Sequence, residues 1–267
     1  MTSIGWGAFR GCSLLRTITI PNSVKSIGEY AFPNCSNLTT VTIPNSVTSI
    51  GSSAFYGCSS LPSITIPGSV LCIDDKAFMG CTNLTSATMQ EGLLAIGCKA
   101  FAYCDNLTTV TIPSSLIAIG ENAFYKDKKL SSIFINADIP MECVEEKGIT
   151  LGSGLGFCKS KQHNIGFMTS EIQTSTGSGI RIADTQVTDN CTLYVPMEAV
   201  EDYKIANGWC DFTHIVGFDT TGIKDIEDIT SMNAEARKQR IYSISGVRMS
   251  KPKPGLNIIN GRKVIVK

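Results

Sequence analysis

Residues 31–51 read AFPNCSNLTTVTIPNSVTSIG, and almost the same phrase returns every 23 residues. The Ala-Phe pair occurs at Ala8-Phe9, Ala31-Phe32, Ala54-Phe55, Ala77-Phe78, Ala100-Phe101 and Ala123-Phe124. Cys follows each Phe by three residues at Cys12, Cys35, Cys58, Cys81 and Cys104, with Asp127 in the sixth slot. Leu comes next at Leu15, Leu38, Leu61, Leu84, Leu107 and Leu130. An apolar pair separated by one residue then closes the phrase, as in Ile18/Ile20, Val41/Ile43, Ile64/Ile66 and Val110/Ile112. Copies in one register predict a solenoid, in which each unit touches only its neighbours. A 23-residue unit cannot bury enough apolar surface to fold alone, so stacking must supply both the core and the hydrogen bonds between units.

Local signals fill in the coil. Leu15-x-x-Ile18-x-Ile20 alternates as a short strand does, with Ile18 and Ile20 turned inward. Pro21, Pro44, Pro67 and Pro113 end that strand because proline lacks a donor for the ladder. Val24 and Ile27 bring the chain back to the core. Gly28, Gly51, Gly97 and Gly120 mark a turn that asks for a permissive backbone. The Ala-Phe-x-x-Cys segment fits a short helical or 3₁₀ turn, its small Ala allowing close approach and its ring filling the interior.

The repeated AF-x-x-C-x-x-L-x-x-I-x-IP-x-S-V-x-x-IG unit resembles the leucine-rich repeats of the BspA-like (Treponema pallidum-type) family, over residues 4–139. The resemblance implies a fold: a solenoid of 23-residue leucine-rich repeats with a parallel β ladder and short helical or 3₁₀ turns. A cap with a loop-rich insertion and a small C-terminal β region follow. The asparagine ladder of commoner leucine-rich repeats is replaced by Ser23, Ser46, Ser69, Gly92 and Ser115. Serine at that point is expected to bond to the turn backbone instead.

The expected organisation is a six-repeat solenoid over 1–139, an insertion and cap over 140–218, a linker over 219–238 and a β-hairpin tail over 239–267. The chain starts in mid-repeat, Thr2-Ser3-Ile4-Gly5 aligning with Lys25-Ser26-Ile27-Gly28, which points to a truncated N-terminus. Residues 141–190 are polar and rich in Gly and Ser, without periodicity. Thr192-Leu193-Tyr194-Val195-Pro196 reads as a strand stopped by proline, Glu198 to Asn207 as a short helix, and Trp209, Phe212, Ile215 and Val216 as a compact apolar end. This LYVP…Y…W-x-x-F-x-x-I segment resembles the terminal cap of BspA-like proteins, whose rings would cover the last open coil. Residues 241–249 read as strand–turn–strand and 255–267 as a hairpin with an Asn-Gly turn. Together they resemble the sorting domain of Bacteroidetes type IX secretion, which implies export and a secreted or cell-surface location.

Composition narrows the partners. The 267 residues carry 23 basic and 23 acidic side chains, so there is no electrostatic footprint for nucleic acid or an anionic membrane. No apolar run reaches the 18 residues of a membrane span. Stacked cysteines would keep their Cβ atoms about 4.8 Å apart, beyond disulfide range, so the repeat cysteines are expected to be reduced, buried thiols.

Little in the chain offers chemistry. His214 lies between Phe212 and Ile215 and reads as a partly packed structural residue. His163 near Cys158 lacks both an orienting base and a metal-ligand spacing. Asp74-Asp75 and Glu145-Glu146 are adjacent pairs of the kind found on solvated surface, and Gly152-x-Gly154-x-Gly156 lacks phosphate-loop spacing. No catalytic residue, metal site or cofactor is assigned. The Asn37, Asn83 and Asn106 sequons recur with the repeat and carry no independent signal.

The candidate binding surface comes from the ladder. With Ile18 and Ile20 inward, Thr17 and Thr19 face out, followed by Thr40 and Thr42, Ser63 and Thr65, Ser86 and Thr88, Thr109 and Thr111, and Ser132 and Phe134. Six rungs make a hydroxyl-rich face roughly 29 Å long. Solvated β-favouring residues would look the same, but extended solenoid faces commonly bind ligands. BspA-like relatives imply a non-enzymatic protein that adheres to a protein partner on a host or bacterial surface. A glycan-binding module, which would need aromatic platforms, or a structural subunit of a surface assembly is the alternative. An enzyme with its site in 141–190 is more remote.

Overall fold

The computed structural model describes residues 2–138, 140, 142–144, 181–218, 241–243, 248–249, 255–259 and 262–266. The chain divides into two compact units, Met1–Phe218 and Asp219–Lys267.

The first unit is a parallel β-solenoid of about eight turns. Its outer ladder comprises Thr17–Thr19, Thr40–Thr42, Ser63–Ile66, Ser86–Met89, Thr109–Ile112, Ser132–Ile135, Thr192–Pro196 and His214–Phe218. We number the coils one to eight by these strands. The first two strands pair with each other and the last six form one sheet, every pairing parallel. A second ladder on the return side joins Ser3–Ile4, Ser26–Ile27, Ser49–Ile50, Cys72–Ile73, Ala95–Ile96, Ala118–Gly120 and Glu142–Val144. The expected solenoid architecture is thus observed.

Between the ladders lies the repeat's apolar set. Phe9, Phe32, Phe55, Phe78, Phe101 and Phe124 stack in single file with centroids 4.8–5.9 Å apart. From coil two onward Ala31, Leu38, Val47, Ile50 and their counterparts are fully buried. The Ala-Phe-x-x-Cys segment forms hydrogen-bonded turns, as where Tyr56 N–H donates to Ser53 C=O and Cys58 N–H to Phe55 C=O. A second set of bonds crosses between coils, each Phe N–H donating to the next coil's Ala carbonyl (Phe32 to Ala54, 2.7 Å; Phe78 to Ala100, 2.7 Å). These crossings hold the turn side as the strands hold the ladder side.

The glycine reading needs correction. Gly28, Gly51, Gly97 and Gly120 do not adopt the left-handed backbone. A Cβ on Gly51 would stand 2.7 Å from Glu29 N, and one on Gly120 2.3 Å from Cys98 N. Glycine is needed there because neighbouring coils approach too closely for a side chain. The left-handed positions lie in the turn, at Tyr30, Ser53, Lys76, Lys99 and Asn122, and again at Asn34, Gly57, Gly80, Tyr103 and Lys126.

The ladder continues beyond the sixth repeat. Cys143 is the Cα partner of Ile119 and Val144 of Gly120. Asn122 N–H then bonds to Arg181 C=O, as Lys99 N–H bonds to Glu121 C=O. Arg181 therefore fills the place after Val144 that Glu121 fills after Gly120, and the 36 residues 145–180 enter the seventh coil between two adjacent repeat positions. Phe124 N–H bonds to Ile182 C=O, so Ile182 takes the Ala slot directly after Arg181, and this coil is one residue short at the position of Asn122. Helix Thr185–Asn190, capped by Asp184 whose carboxylate accepts from Val187 N–H, replaces the usual turn. Leu193 then stacks on Ile133, and Ile215 on Leu193.

The eighth coil closes the core. Met197–Ala199 is a 3₁₀ turn that begins one residue before the expected helical stretch, and Val200–Ile205 is an α-helix within it. Tyr203, Trp209 and Phe212 are buried; Tyr203 and Trp209 meet edge to face, and Tyr203 O–H donates to Ala137 C=O at 3.2 Å. The second unit contains an antiparallel sheet in the order Arg248–Met249, Ile241–Ser243, Gly255–Ile259, Arg262–Val266. Ile259 pairs with Arg262 across the Asn-Gly dipeptide. The expected linker at 219–238 lies outside the described residues.

Candidate interaction face

The strand period of two sends alternate residues of the outer ladder away from the core. Cα register within each sheet, and the 23-residue spacing between coils two and three, align them into two columns. One holds Thr17, Thr40, Ser63, Ser86, Thr109, Ser132, Thr192 and His214. The other holds Thr19, Thr42, Thr65, Thr88, Thr111, Phe134, Tyr194 and Val216. Neither contains a Lys, Arg, Asp or Glu. The structure therefore places all ten predicted hydroxyl positions on one face in regular array.

Exposure is not uniform along that face. Thr17, Thr19, Thr40, Thr42, Ser63 and Thr65 are exposed, while Ser86, Thr88, Thr109 and Ser132 are half-buried. Thr111 and Phe134 depart from the expected open ladder, at 7% and 1% exposure. Phe134 stacks on Tyr194, its Cα partner in the next rung, at 4.6 Å and 13°. The two rings cover each other's faces, with Phe134 buried and Tyr194 half-buried. The column thus changes at coil six from hydroxyls to Phe134, Tyr194 and Val216. Phe134 alone signals the change in the sequence; Tyr194 and Val216 are hidden because residues 145–180 break the 23-residue spacing.

A neighbouring row of hydroxyls binds coil to coil. Thr39 Oγ1 donates to Arg16 C=O, Thr85 to Pro62, Thr108 to Thr85 and Ser131 to Thr108, at 2.9–3.2 Å. Asn37 Nδ2 donates to Ser13 C=O and Asn106 Nδ2 to Thr82 C=O. The sequon residues thus serve the stack. On the return side Ser69 Oγ donates to Val47 C=O and Ser115 Oγ to Leu93 C=O, the backbone bonding expected of the serines that replace asparagine. Ser46 departs from it: its buried Oγ has no partner.

The repeat cysteines are free thiols. Cys12 is exposed, whereas Cys35, Cys58, Cys81 and Cys104 are buried, each donating its S–H to a Phe carbonyl of the preceding coil at 3.2–3.3 Å. Burial pushes Cys35 up to about 11 and Cys81 to about 12, and raises Cys58 and Cys104 strongly. Thiols held in the neutral form are poor nucleophiles. Outside this column, Cys72 is disulfide-bonded.

Two carboxylates depart from expectation or consensus. Asp127 fills the thiol slot fully buried; its Oδ1 accepts from Cys104 N–H at 2.8 Å and its Oδ2 has no partner. Burial first, then Asp105 and Asp184, holds its carboxyl well above the usual range. Asp74, expected on solvated surface with Asp75, is buried instead, at the slot occupied by Gly28, Gly51, Gly97 and Gly120. Desolvation, with Asp75 and Glu29 nearby, pushes it up to about 6, against a hydrogen bond from Asp75 N–H to Asp74 Oδ1. Each carboxylate is explained by its place in the stack rather than by an opposing acid–base partner.

His214 is exposed rather than packed, its Nδ1 lying 2.8 Å from Thr213 Oγ1. His163, Cys158, Glu145-Glu146 and Gly152 to Gly156 lie outside the described residues. Among the described residues no group of three or more His, Cys, Asp or Glu could hold a metal ion, and no helix is long and apolar enough to cross a membrane.

A family model described as the BspA type leucine rich repeat region matches residues 2–140 in six copies. Solved structures include a leucine-rich repeat protein from Bacteroides ovatus, 39% identical, covering 53% of this chain and 40% of that one with a TM-score of 0.47. The T. pallidum leucine rich repeat protein is 29% identical, covering 49% of this chain and 62% of that one with a TM-score of 0.48. A leucine rich cell surface protein from Faecalibacterium prausnitzii is 23% identical, covering 53% and 62% with a TM-score of 0.24. The chain thus spans less than two thirds of each of these relatives. No curated protein matches it. Leucine-rich repeat proteins of this kind generally mediate protein–protein interaction and are non-enzymatic. The family match covers 139 of the 267 residues and coincides with the six stacked repeats, so this chain belongs to the BspA-type leucine-rich repeat family.

Proposed function

We propose that this protein is an exported, non-enzymatic adhesion or interaction protein that binds a protein partner on a host or bacterial surface through its outer ladder. The observation that carries the reading is the pair of uncharged columns, open at Thr17, Thr19, Thr40, Thr42, Ser63 and Thr65 and ending in Phe134, Tyr194 and Val216. An array of hydroxyls on a rigid ladder supplies directional contacts at little ordering cost. The half-buried Tyr194 ring and the exposed Val216 at one end supply apolar contact of the kind that anchors interfaces. The resemblance of residues 239–267 to a type IX sorting domain supports export.

A glycan-binding reading draws less support. Sugar recognition uses open ring faces, but Phe134 and Tyr194 cover each other. Tyr103 and Tyr125 on the turn side meet at 76°, with Lys126 Nζ over both rings.

The test is capture of surface partners by the chain and by a variant carrying Thr42→Lys, Thr65→Lys and Thr88→Lys. Three charged rungs would desolvate poorly against any partner seated there, so binding should be lost with the fold intact. Unchanged affinity would place the interaction elsewhere.

A further inference from the structure

We propose that Cys72 is bonded to Cys158, and that this disulfide pins residues 145–180 against an apolar strip on the return ladder. The proposal goes beyond the outer-ladder reading and does not rest on it, because it concerns the return side of the coils.

Cys158 lies outside the described residues, and its assignment follows from the cysteines that are described. The chain has 11 cysteines. Cys72 is disulfide-bonded, and eight others, from Cys12 to Cys210, are free. Cys143 and Cys158 remain as partners. Register excludes Cys143. Cys72 pairs with Ala95, Ala95 with Ala118, and Ala118 with Glu142, the residue before Cys143. Three rungs put Cys143 about 14 Å from Cys72, whereas a disulfide needs its Cα atoms within about 7 Å. Cys158 has the reach. It follows Val144, in the last rung of the same ladder, by a stretch that can extend to about 46 Å.

The surface around Cys72 suits a covering segment. Cys72 and Ala95 are 1% and 0% exposed, yet the core takes their neighbours Ile73 and Ile96 and neither of them. Strand alternation turns both to the other side of the ladder. Beside them run Leu71, Leu94 and Ile117, Leu94 N–H donating to Leu71 C=O and Ile117 N–H to Leu94 C=O, both at 2.9 Å. None of the three belongs to the core or packs against it, and Ile117 is 55% exposed. The two rungs before carry Lys25-Ser26 and Thr48-Ser49 where these carry Leu71-Cys72, Leu94-Ala95 and Ile117-Ala118. The change from polar to apolar thus begins at the rung that holds the disulfide.

The occupant is this chain's own insertion. It leaves the return ladder after Val144 and rejoins the coil at Arg181. Ile149, Leu151, Leu155 and Phe157 precede Cys158, so a bond at Cys158 brings an apolar run to an apolar strip. The bond forms by exchange with a small-molecule or protein disulfide: the two cysteine sulfurs join, and the donor's two sulfurs leave as thiols with the electrons and protons. Disulfides persist in oxidising surroundings, as export would provide.

Peptide mapping without reductant reads the pairing directly, on the full 267-residue chain secreted into an oxidising compartment and alkylated before digestion. A linked peptide holding Cys72 and Cys158 is expected, with Cys143 alkylated. Cys72 joined to Cys143, Cys72 joined to a second chain, or Cys72 alkylated would each overturn the proposal. Cys158→Ser reads the docking. Lys147, Lys159 and Lys161 offer trypsin sites within the insertion. Under native conditions their cleavage should be at least about tenfold faster in the variant than in the parent, because cleavage tracks how often a docked segment opens. Equal rates would mean that the bond pins nothing, and would overturn the docking.

Discussion

Coils two to five and coils six to eight share one backbone path but few residue identities. In the earlier coils the turn carries Ala-Phe, the slot three residues on carries a buried thiol, and the outward column carries threonine. In the later coils the thiol gives way to Asp127, Ala-Phe to Ile182-Ala183, the turn to helix Thr185–Asn190, and threonine to Phe134, Tyr194 and Val216. The hydrogen bonds barely change: Phe124 N–H reaches Ile182 as Phe101 N–H reaches Ala123. What the coils keep is register and an apolar interior. Repetition of letters is one way of meeting that demand, and the last coils meet it with larger, irregular side chains that also close the end of the core.

Four variants probe the contrast, the largest effect first. Phe78→Ala removes a ring from the middle of the regular stack and should cost about 3–5 kcal/mol in urea unfolding; a loss under about 1 kcal/mol would mean the rings are not close-packed. Asp74→Asn tests a carboxylate placed where other coils use glycine. Because burial lifts Asp74 to about 6, the native state binds more protons than the unfolded state between pH 4 and 6, and stability falls as pH rises through that window. The variant should escape this loss, gaining as much as about 3 kcal/mol at pH 7.5 and nothing at pH 3. A variant and parent with parallel pH profiles would contradict it.

Asp127→Cys restores the regular thiol slot. It removes a buried oxygen without a partner and lets Cys104 N–H return to the Phe101 carbonyl, as Cys81 N–H bonds to Phe78. A gain of about 1–3 kcal/mol is expected in the same assay, and a loss would show that coil six depends on its carboxyl. The smallest change is on the open face: Thr42→Lys with Thr65→Lys should alter stability by under about 0.5 kcal/mol, read from the thermal midpoint. A large drop would mean those hydroxyls hold the fold together.

The regular coils were almost fully legible in the sequence, because each apolar slot recurs where a stack must bury it. Phe32, Cys58 and Leu84 lie where their period puts them. Gly51 was found for the wrong reason, since one chain read alone does not reveal how closely the next coil approaches. Asp74 and His214 were misplaced for a related reason: burial and exposure belong to the stack, not to the residue. The register of the two columns was legible through Ser132 and Phe134, but the burial of Thr111 and Phe134 was not. Tyr194 and Val216 belong to the second column, but residues 145–180 separate them from the repeats, and period is the only signal a solenoid gives.

Excision of residues 145–180, joining Val144 to Arg181, tests the central claim that the seventh coil is a repeat interrupted between two adjacent positions. The account predicts a soluble chain that unfolds cooperatively, with amides of Val110, Ile133 and Leu193 still protected from exchange. Protection at Val110 with rapid exchange at Leu193 would contradict it, showing that the strand after the interruption does not belong to the stack.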